Sequence, residues 1–294
     1  MTNNLQKNYQ GLLESNPKIR AVDAAIQLGC SELDLLVLEW GSSVFGLQMQ
    51  TIPDFLSQSK VNYRFMSLMR NEEAVHECTT KTESIDIQAR QDQWIISGTF
   101  SANIDYSQSV HIVLVHHHKK SMPKRSLQVF DGSGKPIWKL YIKNHIDDFD
   151  SWVSKHYIQD QPLPTCQASS INLRKVLDID DSWQTATSKS YASFFSLGVE
   201  RKWDLGVEVF HPSGSQTALI RPNEAVVMGP WFNILQAQFN LHLMEEKVST
   251  AYLYESFQNS HGIFYLNKGG QAIFRIFKSI SHEDDFMEIW KCAV

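Results

Sequence analysis

The residues best suited to chemistry in this chain are scattered histidines, arginines and cysteines; they form no compact catalytic motif. The densest cluster is His116-His117-His118-Lys119-Lys120, with Lys124 and Arg125 just beyond. Neighbours on a strand point to opposite faces, so three adjacent histidines cannot converge on one metal. Structural zinc sites also use spaced ligands. The cluster therefore reads as a long basic hairpin tip, with a transient site for metal or an anionic partner left open. His76 lies inside the segment LMRNEEAVHE (Leu68 to Glu77), and His242 sits between leucines in FNLHL, where it reads as a hydrogen-bonded structural histidine. Cys30, Cys78, Cys166 and Cys292 are far apart, with no C-x-x-C pair, which suits reduced thiols better than a disulfide frame or zinc site. No Ser-His-Asp arrangement, glycine-rich phosphate loop or H-E-x-x-H motif occurs, so ordinary hydrolase and nucleotide chemistry have no foothold.

Two segments recur in the same order. LMRNEEAVHE is answered by LIRPNEAVVM (Leu219 to Met228), at an offset of 219 − 68 = 151. SLQVFDGSGKPIWKLY (Ser126 to Tyr141) is answered by GIFYLNKGGQAIFRIF (Gly262 to Phe277), at an offset of 262 − 126 = 136. A repeat of domain size predicts a tandem duplication with two similar halves rather than a solenoid. The first match pairs Arg70 with Arg221, and both arginines read as structural, paired with Glu73 and Glu224 inside the same strand-turn unit. It also pairs His76 with Val227, which suggests a packed strand position.

The elements that must carry these residues follow from the hydrophobic pattern. Ile19, Val22, Ala25, Ile26 and Leu28 recur at helical spacing and stop at Gly29. Ser31 then reads as an N-cap, with Glu32 and Asp34 in the first turn of a second helix running to Gly41. Two helices around a short turn could read DNA, but the second presents Glu32, Asp34 and Glu39 and no basic residue, so it would repel phosphate. Strands are expected at Val110 to Val115, Ser126 to Phe130 and Pro136 to Ile142, with a turn at Asp131 to Gly134. The second half repeats them at Val248 to Tyr254, His261 to Leu266 and Gln271 to Phe277, with a turn at Asn267 to Gly270. Ile158 to Ser170, polar and carrying Pro162 and Pro164, reads as a linker. Helical segments are expected at about Ile171 to Leu177 and from Ser182 onward. The predicted class is α+β, with helices and a large antiparallel sheet in each of two repeats: residues 1–157, a linker at 158–170, and residues 171–294.

With 294 residues there is enough chain for two cores of ordinary size. The net charge of −5 argues against nucleic-acid partners, which need a basic surface. No run approaches the ~18 apolar residues of a membrane span, and the polar opening MTNNLQKNYQ does not resemble a signal peptide. The expectation is a cytoplasmic protein without stable membrane insertion.

These landmarks resemble the bacterial haemin-degrading and haem-trafficking family of the HemS/ChuS type. The resemblance rests on Asn16-Pro17, Arg20, Asp23-Ala24-Ala25, Leu28-Gly29 and Ser31-Glu32 at the start, and on Met69-Arg70-Asn71-Glu72 with Ala74-Val75-His76-Glu77 in the middle. It continues through Ser126-Leu127-Gln128, Phe130-Asp131 and Gly134 to Gly229-Pro230-Trp231-Phe232-Asn233 and Phe239-Asn240-Leu241-His242-Leu243. It implies two similar stacked halves and haem held in a cleft of the second.

The resemblance also implies an axial histidine two places before a Phe-Phe pair. Here Phe194-Phe195 is preceded at that place by Ala192, and no histidine occurs between His156 and His211. Where the resemblance implies an arginine after a tryptophan, Trp94 is followed by Ile95. Where it implies an Asn-Arg-Gly and an internal histidine, the chain reads HPSGSQTALI, from His211 to Ile220. Haem needs an axial donor and cations for its propionates. Tyr191 or His76 is then the expected donor and Arg201 the expected clamp. The function implied is a cytoplasmic haem-binding protein of iron acquisition, which takes haem from an importer, passes it to an accepting protein or helps degrade it. The alternative is a non-catalytic relative that has lost haem ligation and acts as a binding or regulatory partner.

Overall fold

The computed structural model describes residues 2–58, 61–107, 110–117, 124–156, 158, 162–166, 182–258, 260–279, 289 and 291. Helices α1 (Thr2–Ser15), α2 (Ala21–Leu28) and α3 (Glu32–Val37) come first. Gly29 ends α2 in the left-handed region (φ 65°), and Ser31 caps α3 reciprocally with Asp34: the Asp34 N–H donates to Ser31 Oγ at 3.0 Å and the Ser31 N–H to Asp34 Oδ2 at 2.8 Å. The α3 helix stops at Val37, short of the expected Gly41. Then follow β1 (Val44–Gly46), α4 (Thr51–Gln58), β2 (Arg64–Arg70), β3 (Ala74–Lys81), β4 (Ile85–Arg90), β5 (Gln93–Gly98) and β6 (Ser101–Asp105). The first half ends with β7 (Val110–His117), β8 (Lys124–Asp131), β9 (Pro136–Ile142) and α5 (Ile146–Val153). The second half contains β10 (Gln184–Ala186), α6 (Ser190–Arg201), β11 (Leu205–His211), β12 (Gly214–Ile220), β13 (Val226–Met228), β14 (Trp231–Leu235), β15 (Phe239–Met244), β16 (Thr250–Phe257), β17 (Ser260–Leu266) and β18 (Ala272–Ser279). The helix expected at 171–177, most of the linker and the residues His118 to Pro123 lie outside the described residues.

The strands form two nine-stranded antiparallel sheets, ordered β1-β7-β8-β9-β2-β3-β15-β14-β13 and β10-β16-β17-β18-β11-β12-β6-β5-β4. Adding nine to each strand number of one half turns one sheet into the other, which is the duplication in structural form. The sharing is the part the sequence did not convey. Each sheet takes six strands from one half and three from the other, joined at β3–β15 and β6–β12.

That equivalence also corrects one of the two sequence matches. The hairpin β8–β9 corresponds to β17–β18 at the offset of 136, and Gly134 and Gly270 close both turns at φ 80° and 70°. The match of LMRNEEAVHE to LIRPNEAVVM, however, sets the β2–β3 turn against the β12–β13 turn, one hairpin too far. The true partner of β3 is β12, so His76 corresponds to Gln216 and not to Val227. The arginine pairings change accordingly. Arg70 meets Glu32 at 3.8 Å, and Arg221 meets Asp204 at 3.0 Å.

The main core fills the layer between the sheets, with Phe65, Met69, Leu127, Leu140, Leu241 and Leu243 of the first facing Trp94, Ile104, Val207, Val209, Phe274 and Ile276 of the second. A smaller cluster of Leu33, Val44, Val113, Val115 and Phe130 seats α3 on the outer face of the first sheet. Asn71, in the β2–β3 turn, donates its amide hydrogens to the carbonyls of Phe210 and Ile273, both at 2.8 Å, and so ties one sheet to the other.

Candidate functional site

The second sheet carries its chemistry on the face turned away from the core. Residues alternate between faces along a strand. Val207, Val209, Phe274 and Ile276 therefore enter the core, while Glu208, Phe210, Arg275 and Phe277 face outward. Glu208 and Arg275 are cross-strand partners on β11 and β18. The Arg275 Nε–H donates to Glu208 Oε2 at 2.7 Å, and Nη2 donates to Gln258 Oε1 at 2.9 Å. The guanidinium lies over the rings of Phe277, Phe257 and Phe264, at 4.4, 5.2 and 5.4 Å from their centroids. Arg275 is only 5% exposed, yet its Nη1 has no hydrogen-bond partner among the described residues.

Beside this pair lies a hollow of about 270 Å³, floored by Phe210, Phe257 and Phe264 and rimmed by Asn103, His211 and Ser215. Its aromatic wall is made by Phe210 and Phe257, both half-buried; Phe264 is 1% exposed and stacks on Phe210 at 5.8 Å and on Trp183, which lies outside the lining, at 5.1 Å. Such a wall suits a flat apolar ligand, and the size is close to the lower end of small-molecule sites, about 300 Å³. The counterpart of Arg275 is Lys139, and helix α3 covers it by laying Glu32 on Lys139 Nζ at 2.7 Å, above the ring of Phe130.

Two sequence segments singled out earlier converge on this hollow. His211 to Ser215 form its rim, and Ile95 pairs with Asn103 of the lining across β5 and β6. The expected ligands lie elsewhere. Tyr191 is fully buried and packs on Phe232, Tyr265 and Phe274. Tyr265 and Phe274 are the strand neighbours of Phe264 and Arg275, so Tyr191 and the hollow occupy opposite faces of the sheet. The Tyr191 hydroxyl donates to Glu245 Oε1 at 2.8 Å, and burial together with that carboxylate pushes its pKa up, away from the phenolate a metal would need. Tyr191→Phe is therefore expected to leave haemin spectra unchanged and to cost about 1 kcal/mol in urea unfolding; a displaced Soret band would return Tyr191 to the ligand set.

His76 is also on the core side. It is fully buried, edge-on to Phe239 at 5.0 Å, and Gln216 Nε2 donates to its Nδ1 at 3.0 Å. Burial lowers its pKa to about 3, so it is a neutral core histidine. Arg201 closes α6 on the protein surface, 47% exposed and 4.0 Å from Glu200. The structure thus brings none of the three expected residues together. His242 behaves as a structural histidine, hydrogen-bonded through Nδ1 to Asn233 Oδ1 at 2.6 Å. In the histidine cluster, His116 Nε2 lies 3.1 Å from Asp150, which also receives both Arg125 Nε and Nη2. No group of three metal-ligating side chains occurs among the described residues.

Sequence reading passed over Glu208 and Arg275. The available signal was a lone arginine in the apolar strand AIFRIF, matched by Lys139 at the offset of 136 that the hairpins share.

Residues 29–156 match the family model described as the haemin-degrading HemS.ChuX domain. The whole chain has the fold of holo-PhuS, a heme-binding protein from Pseudomonas aeruginosa, with a TM-score of 0.85, 17% identity, and coverage of 100% of this chain and 99% of that one. It is similarly close to the heme-degrading enzyme ChuS of Escherichia coli O157:H7, with a TM-score of 0.84, 16% identity and full coverage of both chains. No curated protein matches the sequence. No helix among the described residues is long and apolar enough to cross a membrane.

Proposed function

We propose that this chain, whose residues 29–156 match the haemin-degrading HemS.ChuX domain model, is a member of the HemS/ChuS-type family and binds haem in the hollow on the outer face of the second sheet. The observation that carries this reading is the pair of half-buried rings Phe210 and Phe257 lining the hollow beside a buried arginine with hydrogen-bonding capacity to spare. A porphyrin is flat, apolar on both faces and anionic at one edge, and those are the properties this wall and this cation complement.

The protein acts as a cytoplasmic carrier in this reading, accepting haem from an importer and yielding it to a second protein. Bound haem would supply its own iron chemistry with oxygen. The chain's residues hold the ring and shield one face of it. Carriage is favoured over degradation because no donor among the described residues stands ready beside the hollow: His211 Nδ1 is engaged by the Ser213 N–H at 3.0 Å. A neutral imidazole with Nδ1 accepting carries its proton on Nε2, which then has no lone pair for iron.

Filling the hollow tests the reading. Ser215 is on the rim, facing outward from β12. Wild-type protein is expected to saturate near one haemin per chain. Ser215→Trp should abolish that stoichiometric binding, while Arg201→Ala should leave it intact. Unchanged haemin binding in Ser215→Trp would move the site away from this face.

A further inference from the structure

A hollow that gripped haem through its iron would need a lone pair aimed into it, and this one offers a cation instead. The described lining holds a single histidine, His211, committed through Nδ1 to the Ser213 amide. Arg275 is the group with unspent capacity. Its Nε is bonded to Glu208 and its Nη2 to Gln258, its charge also acts on the nearby Tyr254 hydroxyl, and its Nη1 makes no hydrogen bond among the described residues. A buried donor left unbonded is costly, and such a group calls for an explanation.

Gln258 provides one. It is exposed, on the tight β16–β17 turn at φ 50°, and it offers Arg275 a neutral amide oxygen. A carboxylate that displaced this amide would meet Nη1 and Nη2 together, in the bidentate charge-assisted geometry that guanidinium groups favour. Glu208 fixes the other side of the fork through Nε, and Phe257, Phe264 and Phe277 hold its plane.

We infer, resting on the haem reading above, that the hollow recognises a tetrapyrrole by a ring-borne carboxylate at Arg275 and by aromatic stacking, and not by its metal. Metal-free porphyrin is then a ligand of the same standing as haem. The iron contributes nothing to affinity, and esterified porphyrin, which keeps the ring and loses the charge, is a poor ligand.

The full-length protein would be titrated in parallel with haemin, protoporphyrin IX and protoporphyrin IX dimethyl ester, following quenching of tryptophan fluorescence. Haemin and protoporphyrin IX should bind with closely similar affinity, and the ester about tenfold or more weakly. Gln258→Glu sets a carboxylate of the protein's own at the anchor, from an exposed turn that leaves the core untouched. It should weaken both acids by about tenfold, and Arg275→Gln should do the same wherever it folds. Haemin binding tenfold or more tightly than the metal-free ring would overturn the inference and leave the haem reading standing. An ester that binds as well as the acid, or acids indifferent to Gln258→Glu, would overturn it too. Failure of haemin itself to bind at one per chain would overturn the reading beneath, and this inference with it.

Discussion

Glu208→Leu is expected to destabilise the protein by about 3–5 kcal/mol, because it leaves the Arg275 guanidinium buried without its counter-charge. Glu208 is 9% exposed and Arg275 5% exposed, and their 2.7 Å contact joins two strands in the middle of the second sheet. Removing one partner leaves the other almost wholly buried, with only the solvent of the hollow to compensate it. The double variant Glu208→Leu, Arg275→Leu should recover most of the loss, since it removes both desolvated charges and adds apolar contact with Phe257, Phe264 and Phe277. Urea unfolding of the two single variants and the double measures the coupling. A double variant no more stable than Glu208→Leu would mean that the pair does not act as a unit. A stable double variant would also separate folding from binding, because it should keep the sheet and lose the carboxylate anchor.

The second large effect concerns the point where the two halves cross. Trp138 Nε1 donates to Ser67 Oγ at 2.7 Å, Ser67 Oγ donates to Gln216 Oε1 at 2.5 Å, and Gln216 Nε2 donates to His76 Nδ1 at 3.0 Å. Ser67, Gln216 and His76 are fully buried, and His76 and Gln216 are equivalents under the duplication. Gln216→Leu leaves the Ser67 hydroxyl and the His76 ring without their shared partner and should cost about 2–4 kcal/mol. The same network makes stability depend on pH. His76 has a folded-state pKa lowered from 6.5 to about 3 by burial. The unfolded chain therefore binds the extra proton between those values, and stability rises with pH across that window. The contribution is complete above pH 6.5 and is lost as pH falls toward 3, at up to about 1.4 kcal/mol per pH unit. Between pH 7 and pH 4.5 the wild type should lose about 2–3 kcal/mol more than the double variant His76→Leu, Gln216→Leu. Parallel pH profiles for the two proteins would assign the acid sensitivity to other groups.

The sequence by itself determined the α+β class, the helices α2 and α3, and the strand triplets β7–β9 and β16–β18. The Ser31–Asp34 cap, the left-handed Gly29 stop and the twin hairpins with Gly134 and Gly270 are local features, set by residues within a few positions of one another. Local rules read them correctly for that reason. The duplication was legible through the second hairpin pair, whereas the first match slipped by one hairpin because Arg, Glu, Ala and Val in a turn recur without marking register. Tertiary structure alone decided the rest. Strand exchange between the halves depends on β3 pairing with β15 and β6 with β12, contacts that span more than a hundred residues. It also decided which face each side chain takes. Tyr191 and His76 turn into the layer between the sheets, while Glu208 and Arg275, separated by 67 positions, meet on the outside. A one-residue step along a strand changes the face, so a motif names residues without saying which side of a sheet they serve.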